Sequence, residues 1–276
     1  MEIGEKFKDL QSYNKNMSKG IEDKLFFLKH LPQDHGCIYV DFGCADGALI
    51  ESLRHILPNN QFVGYDASEE MIDLARKKVN DRGSNVMFTD SWQEVENKLK
   101  GSSSMKKVLI LSSVIHEVYS YAQDQTVIDL FWDRVLKTGF DYICVRDMMI
   151  PSDTVYTPAN KEWTKNIDRF YSCFMSSTRL NEFKKNWGEL TNKRTVLHFL
   201  LKYRWQINWN REVKENYFPI DIETFLGRFW GYYNLNHFER FIVPFIKDKI
   251  EEDFYIKLGD DDSTHIKAVF SKRTDK

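Results

Sequence analysis

The residues of this sequence with chemistry to offer stand at the ends of apolar runs. Val40-Asp41-Phe42-Gly43-Cys44-Ala45-Asp46-Gly47 closes one such run and opens an amphipathic stretch. In that context a turn of small residues brings backbone N–H groups against a ligand. Gly43 and Gly47 suit a sharp turn, Ala45 is the third small residue, and Cys44 lies between them. Alone, the turn specifies a tight strand-to-helix connection as readily as a nucleotide site. Asp66, with Ala67 beside it, ends a second run about twenty-five residues after Asp41, where a carboxylate accepts hydrogen bonds from ribose hydroxyls. Phe88-Thr89-Asp90-Ser91-Trp92 ends a third run. Asp90 is there a candidate acceptor for an adenine amine, and Trp92 a ring to flank it; the plainer alternative is that Asp90 caps the next helix.

Candidates for proton chemistry follow the fourth and fifth runs. Ser112-Ser113-Val114-Ile115-His116-Glu117-Val118-Tyr119 succeeds Lys107–Leu111. An imidazole at His116 suits removal of a hydroxyl proton near neutral pH, with Glu117 as the second candidate and Tyr119 as a substrate contact. Val145-Arg146-Asp147 offers an Arg to fix an anionic acceptor and an Asp to orient it. A helix-capping histidine and an ion pair confined to the strand end are the plainer readings.

These residues need a scaffold that brings strand ends together. Cys37–Phe42, Gln61–Asp66, Asn85–Phe88, Lys107–Ser112 and Tyr142–Arg146 read as short strands, with helical patterns at Ala48–Ile56, Ser68–Val79 and Gln125–Leu136. Strands alternating with helices predict right-handed crossovers and a doubly wound, seven-stranded, mostly parallel α/β sheet with helices on both faces, whose ligands bind at the carboxyl ends of the strands. An amphipathic helix over Ser18–Leu31, capped by Ser18, precedes it. Phe238–Val243, Phe254–Leu258 and His265–Ser271 compete for the last two strands. The expected organisation is a helical segment at 1–35, the core at 36–150, a helical insertion after strand five at 151–219, and the rest of the sheet at 220–276.

Composition narrows the field. A formal charge of −2 over 276 residues gives no whole-protein attraction to nucleic acid or an anionic membrane. No stretch reaches the roughly 18 apolar residues of a membrane span, and the first residues lack the apolar core of a signal peptide, so a cytoplasmic location is expected. The four cysteines, Cys37, Cys44, Cys144 and Cys173, form no CxxC pair, and no metal site is expected.

Taken together, the Asp41–Gly47 loop, Asp66, Asp90 and Leu111–His116 resemble the successive motifs of class I S-adenosylmethionine-dependent methyltransferases, over residues from about 18 to 150. The resemblance implies that Gly43, Cys44, Ala45 and Gly47 lie against the methionine part of S-adenosylmethionine, that Asp66 binds the ribose diol, and that Asp90 with Ser91 meets adenine. The cofactor set is thus Asp41, Gly43, Cys44, Ala45, Gly47, Asp66, Ala67, Asp90, Ser91, Trp92, Ser112 and Ser113, with S-adenosylhomocysteine as product. Ala45 stands where many members carry glycine. The loop differs from the G-x-G-x-x-G dinucleotide fingerprint. The Asn/Asp-Pro-Pro-Tyr motif of amino-methylating relatives is absent after strand four, which favours a hydroxyl acceptor. Methyl transfer is an in-line displacement, so the protein's task is to hold the acceptor and take one proton, and His116, Glu117, Arg146 and Asp147 are the catalytic candidates.

The acceptor belongs to the insertion. Between Lys161 and Lys214 basic residues outnumber acidic ones, with Trp163, Trp187, Trp205 and Trp209 interspersed. A helix over Thr195–Lys214 would bear an apolar face (Val196, Leu200, Tyr203, Ile207) and a second face of His198, Lys202, Trp205 and Trp209. Tyr119, His198, Lys202, Arg204 and Trp205 are therefore the candidate substrate contacts. A polar or phosphorylated small molecule is the first expectation. The alternatives are RNA or DNA on the basic and aromatic segment 161–214, and a non-catalytic relative that only binds the cofactor. The second helix face also offers a surface for a homodimer partner.

Overall fold

The computed structural model describes residues 20–32, 36–79 and 85–274. Its sheet has seven strands: β1 (Cys37–Phe42), β2 (Gln61–Tyr65), β3 (Val86–Thr89), β4 (Lys106–Ser112), β5 (Tyr142–Met148), β6 (Tyr233–Phe241) and β7 (His265–Lys272), in the order β3-β2-β1-β4-β5-β7-β6. β1 pairs in parallel with β2 and β4, β2 with β3, and β4 with β5. All six residues of β1 are buried, as expected for a central strand covered on both faces, and this is why such strands read as continuous apolar runs. The winding direction reverses between β1 and β4. Their register sets Phe42 beside Leu111, so Asp41 and the Gly43 turn lie next to the end of β4 at the switch point. Ser112 pairs with Arg146, which aligns the ends of β4 and β5.

The chain forms two compact units. The first, running to Asp147 and taking in Phe229–Glu239 and Lys267 onward, holds most of the sheet. Its helices are α1 (Ile21–Lys24), α2 (Ala48–Ile56), α3 (Glu69–Val79), α4 (Trp92–Gly101), α5 (Ile115–Tyr121) and α6 (Gln125–Lys137). Ser68 accepts from Met71 N at 3.3 Å and caps α3, while Asp124 caps α6 through Thr126 N and Val127 N. The expected N-terminal helix is shorter: α1 gives way to a 3-10 turn at Phe26–His30, and its predicted cap, Ser18, lies outside the described residues.

The second unit comprises Met148–Arg228 and Arg240–Ile266, a larger body than the expected 151–219 insertion. Its helices are α7 (Lys161–Phe174), α8 (Thr178–Trp187), α9 (Lys193–Lys202), α10 (Trp209–Glu212), α11 (Ile222–Phe229, ending at the boundary) and α12 (Pro244–Phe254). Two expectations are corrected here. The single helix over Thr195–Lys214 is two, α9 and α10, separated at 203–208. Phe254–Leu258 is no strand: Phe254 ends α12, and Phe254, Ile256 and Leu258 bury their side chains in this unit's own core with Ile167, Phe199 and Ile250. Among the described residues no helix is long and apolar enough to cross a membrane.

Candidate active site

The turn after β1 is tied to the ends of its neighbours. Gly43 N and Cys44 N both donate to Tyr65 O, at 2.7 and 3.0 Å. Ala45 N donates to Asp66 Oδ2 at 2.9 Å, and the other oxygen of Asp66 accepts from Ser68 N at 2.9 Å. Asp46 accepts from Ala48 N at the start of α2 and pairs with Lys78 at 2.8 Å. Gly43, Ala45 and Gly47 take positive φ of 76°, 46° and 75°, a conformation glycine adopts freely and alanine at a cost of about 1–2 kcal/mol. Both glycines are also packed closely by the chain itself. A Cβ on Gly43 would stand 2.7 Å from Val114 Cγ2, and one on Gly47 2.9 Å from the Phe88 ring. Their small size thus lets the turn close onto β3 and α5.

Two carboxyls at this turn are perturbed by burial. Asp41 is fully enclosed, which pushes its carboxyl up to about 7, with Lys24 opposing the shift and Asp66 adding to it. Asp66 is pushed up to about 6 by burial, against the stabilising N–H groups of Ser68 and Ala45 and with a further rise from Glu117. Glu117 therefore shares the electrostatic surroundings of Asp66, on the expected ribose side. The Cys44 thiol is held well above its usual range by burial and by Asp41 and Asp66, so it serves as a small apolar neighbour of the turn.

The surroundings fit an adenosyl group. Each oxygen of Asp66 uses one lone pair on the backbone and keeps one for a ribose hydroxyl. Asp90 is exposed and does not cap α4: Ser91 N turns to Thr89 Oγ1 at 3.0 Å instead. The capping alternative for Asp90 therefore fails. Ser112 Oγ is buried without a hydrogen-bond partner. Trp92 has another place than the one expected of it. Only 7% exposed, it packs in a cluster with Phe42 at 5.5 Å and Tyr65 at 5.3 Å, beneath the Arg134 guanidinium at 5.5 Å. It belongs to the apolar packing of this unit rather than to an open platform.

The β4 and β5 ends bring His116 and Asp147 together. His116 Nδ1 lies 2.7 Å from Asp147 Oδ1, both side chains buried, and Asp147 Oδ2 accepts from Val114 N at 2.9 Å and Ile115 N at 2.7 Å. One carboxylate thus caps α5 and fixes the imidazole, the arrangement of a base held by an orienting acid. Beside it Ser113 adopts φ 58°, donates its N–H to Arg146 O at 2.7 Å and accepts from Arg146 Nη1 at 3.2 Å. A non-glycine residue in this region costs about 1–3 kcal/mol and marks places where geometry is imposed. Arg146 Nε donates to Asp23 Oδ2 at 2.7 Å. Its guanidinium is engaged by the N-terminal helix and by Ser113, a pairing across elements rather than the ion pair confined to the strand end or the grasp of an anionic acceptor that the sequence suggested. Tyr119 accepts at its hydroxyl from Trp132 Nε1 at 3.0 Å.

In the second unit, two expected acceptor contacts are interior. His198 lies between Glu215 O at 3.2 Å and Tyr217 N at 3.3 Å, against the rings of Phe183 and Trp187. Lys202 is fully buried, donates to Glu212 O and stands 3.7 Å from the Tyr217 ring centre. Arg211 pairs with Glu215 at 3.0 Å. The second face of α9 therefore closes an internal polar network. Arg204 stacks over Trp205 at 5.2 Å and Phe245 at 4.3 Å; Arg204 and Trp205 are half-buried, as is Tyr119 in the first unit, and these three remain the accessible members of the expected set. The sequence reading did not single out Asp23, which bonds Arg146 at 2.7 Å and Lys267 at 2.5 Å and which no spacing connects to either. Among the described residues no group of His, Cys, Asp or Glu is arranged to hold a metal.

The seven-stranded sheet with these strand-end residues defines the class I methyltransferase fold. Residues 40–140 match the family model for a methyltransferase domain. Residues 40–140 thus form a methyltransferase domain on a class I fold, an enzyme domain whose cofactor is S-adenosylmethionine. Its fold is similar to that of a S-adenosylmethionine-dependent methyltransferase from Anabaena variabilis, at 13% identity over 94% of this chain and 86% of the other, with a TM-score of 0.52. It is similar also to the pyocyanin biosynthetic protein PhzM, at 12% identity over 98% of this chain and 63% of that one, with a TM-score of 0.50. No curated protein matches the sequence.

Proposed function

We propose that the enzyme methylates an oxygen, or failing that a nitrogen, of a polar or phosphorylated small molecule, with His116 as the general base. The observation that carries this reading is the 2.7 Å contact between His116 Nδ1 and Asp147 Oδ1 at the ends of β4 and β5. A carboxylate on Nδ1 keeps the proton there and leaves Nε2 with the lone pair that accepts a hydroxyl proton. When bound, the cofactor supplies an electrophilic methyl group on a sulfonium. Asp66 and Asp90 are the residues to hold its adenosyl part, and the Gly43–Gly47 turn its amino-acid part.

The second unit supports a small acceptor over a nucleic acid. Its rings are largely inside: Tyr171, Phe183, Phe199, Tyr203 and Trp209 are buried. Several of its cations are spent within the unit, Lys184 on Asp168 and Glu189, Lys193 on Asp262, Arg194 on Phe218 O and Arg211 on Glu215. A stacking and phosphate surface needs both outside. Incubation with methyl-labelled cofactor and fractionated cell extract tests the reading. Label in the small-molecule pool supports it; label in RNA or DNA overturns it.

A further inference from the structure

Arg146 and Asp147 are consecutive on β5, so their side chains leave opposite faces of the sheet. Between them they hold each residue from Ser113 to His116, where α5 begins. Asp147 takes Val114 N, Ile115 N and His116 Nδ1. Arg146 takes the residue before these: its carbonyl accepts from Ser113 N at 2.7 Å, and its Nη1 donates to Ser113 Oγ at 3.2 Å. Ser113 sits at φ 58°, in the left-handed region that a serine keeps only where its surroundings impose it. That dihedral turns the chain from β4 into α5, and His116 follows three residues on.

The guanidinium is itself held. Arg146 Nε donates to Asp23 Oδ2 at 2.7 Å, and the other oxygen of Asp23 pairs with Lys267 of β7 at 2.5 Å. Because a guanidinium is a rigid planar fork, anchoring Nε on Asp23 fixes where Nη1 meets Ser113. Asp23 also stands between two cations on neighbouring strands, whose repulsion would otherwise drive the fork from this place.

We infer that Arg146 is a positioning residue for His116: held by Asp23, it locks Ser113 and so sets the angle at which α5 delivers the imidazole to Asp147. The inference rests on the reading of His116 as the base. It gives Asp23, on a helix ahead of the residues matched as a methyltransferase domain, a part in arranging the reacting groups.

The test reads the imidazole directly, by NMR of the full chain carrying isotope-labelled histidine, with His116 assigned as the signal lost in His116→Gln. At a pH where the ring is neutral, wild-type His116 is expected to hold its proton on Nδ1 in preference to Nε2 by about tenfold or more, the scale of a charge-assisted hydrogen bond. In Arg146→Met that ratio is expected to fall toward unity, in Ser113→Ala as far, and in the double variant no further, because both single variants remove one and the same contact. Asp23→Asn, at a half-buried position, keeps the shape of the side chain and is expected to lower the ratio in the same direction; it serves where Arg146→Met does not fold. A ratio that stays at the wild-type value in folded Arg146→Met or in Asp23→Asn, or effects of Arg146→Met and Ser113→Ala that add, overturns the positioning role and leaves a clasp that only stabilises the chain. Methyl transfer from labelled cofactor into the small-molecule fraction of cell extract is measured alongside. Transfer that persists while the ratio collapses overturns the base reading and keeps the positioning role.

Discussion

His116 and Asp147 stand 31 residues apart in sequence and 2.7 Å apart at their side chains, because β4 and β5 pair in parallel and end together. The same carboxylate caps α5 through its second oxygen, so the pair's geometry is built into the start of a helix.

Replacing His116 by Ala is expected to leave cofactor binding intact and lower turnover by about 10²-fold or more; turnover at the wild-type level moves the base elsewhere. Asp147→Asn separates orientation from support. If the amide oxygen keeps the α5 N–H groups, its NH₂ faces Nδ1 and drives the ring proton to Nε2, the wrong tautomer for a base. Turnover should fall while the melting temperature changes little. Asp147→Ala removes the cap as well and should cost about 1–3 kcal/mol of stability in thermal unfolding.

Asp66 gives opposite pH dependences for stability and for binding. Its carboxyl ionises near 6 in the folded chain against 3.8 for an ordinary aspartate. The folded state therefore holds the proton more tightly, and this group's contribution to stability is present below pH 3.8 and lost as pH rises through about 6. The ribose hydroxyls need the ionised acceptor, so calorimetric affinity for S-adenosylhomocysteine should fall as pH drops below about 6. Asp66→Asn should flatten that part of the profile, and Asp66→Ala should weaken binding by about 1.5–3 kcal/mol. Unchanged affinity in Asp66→Ala removes the ribose assignment.

Much of this site is legible in the sequence because a parallel sheet buries both faces of its strands: Cys37–Val40 or Val108–Leu111 reads as an unbroken apolar run, and whatever polar residue follows must stand at a strand end. Asp41, Asp66, Asp90 and His116 could be singled out for that reason. The pairing of His116 with Asp147 is set by register, and no spacing reveals it. Periodicity likewise cannot tell whether a polar helix face meets solvent, a ligand or the protein's own interior. His198 and Lys202 share a face of α9, yet Glu212, Glu215 and Tyr217 arrive from a later segment to enclose it. The alternation of Phe254, Ile256 and Leu258 imitates a strand because a helix end and an extended tail bury successive residues in one core.

Gly64 offers a test of how tightly β2 and β3 support the turn. Its backbone is unstrained, but an added Cβ would lie 2.4 Å from Phe88 Cδ1 and 2.9 Å from Cys44 Sγ. Gly64→Ala is expected to destabilise the chain by about 1–3 kcal/mol through overpacking, and to weaken cofactor binding as Phe88 and Cys44 shift against Gly47 and Ala45. A melting temperature at the wild-type value would mean that the ring moves aside freely.

Lys202 separates an internal network from an acceptor contact. Burial holds its ammonium down to about 7, against Glu215 and Glu212, which favour the charge; an unfolded lysine ionises near 10.5. Between these values the unfolded chain binds more protons than the folded one, so this group makes stability rise with pH from about 7 to about 10. Lys202→Met should remove that rise, measured as the pH dependence of the denaturation midpoint, because the methionine fills the space without a titrating group. Cofactor affinity should stay unchanged. A variant that keeps the wild-type slope would place the charge of Lys202 in solvent, and with it restore α9 as a surface for the methyl acceptor.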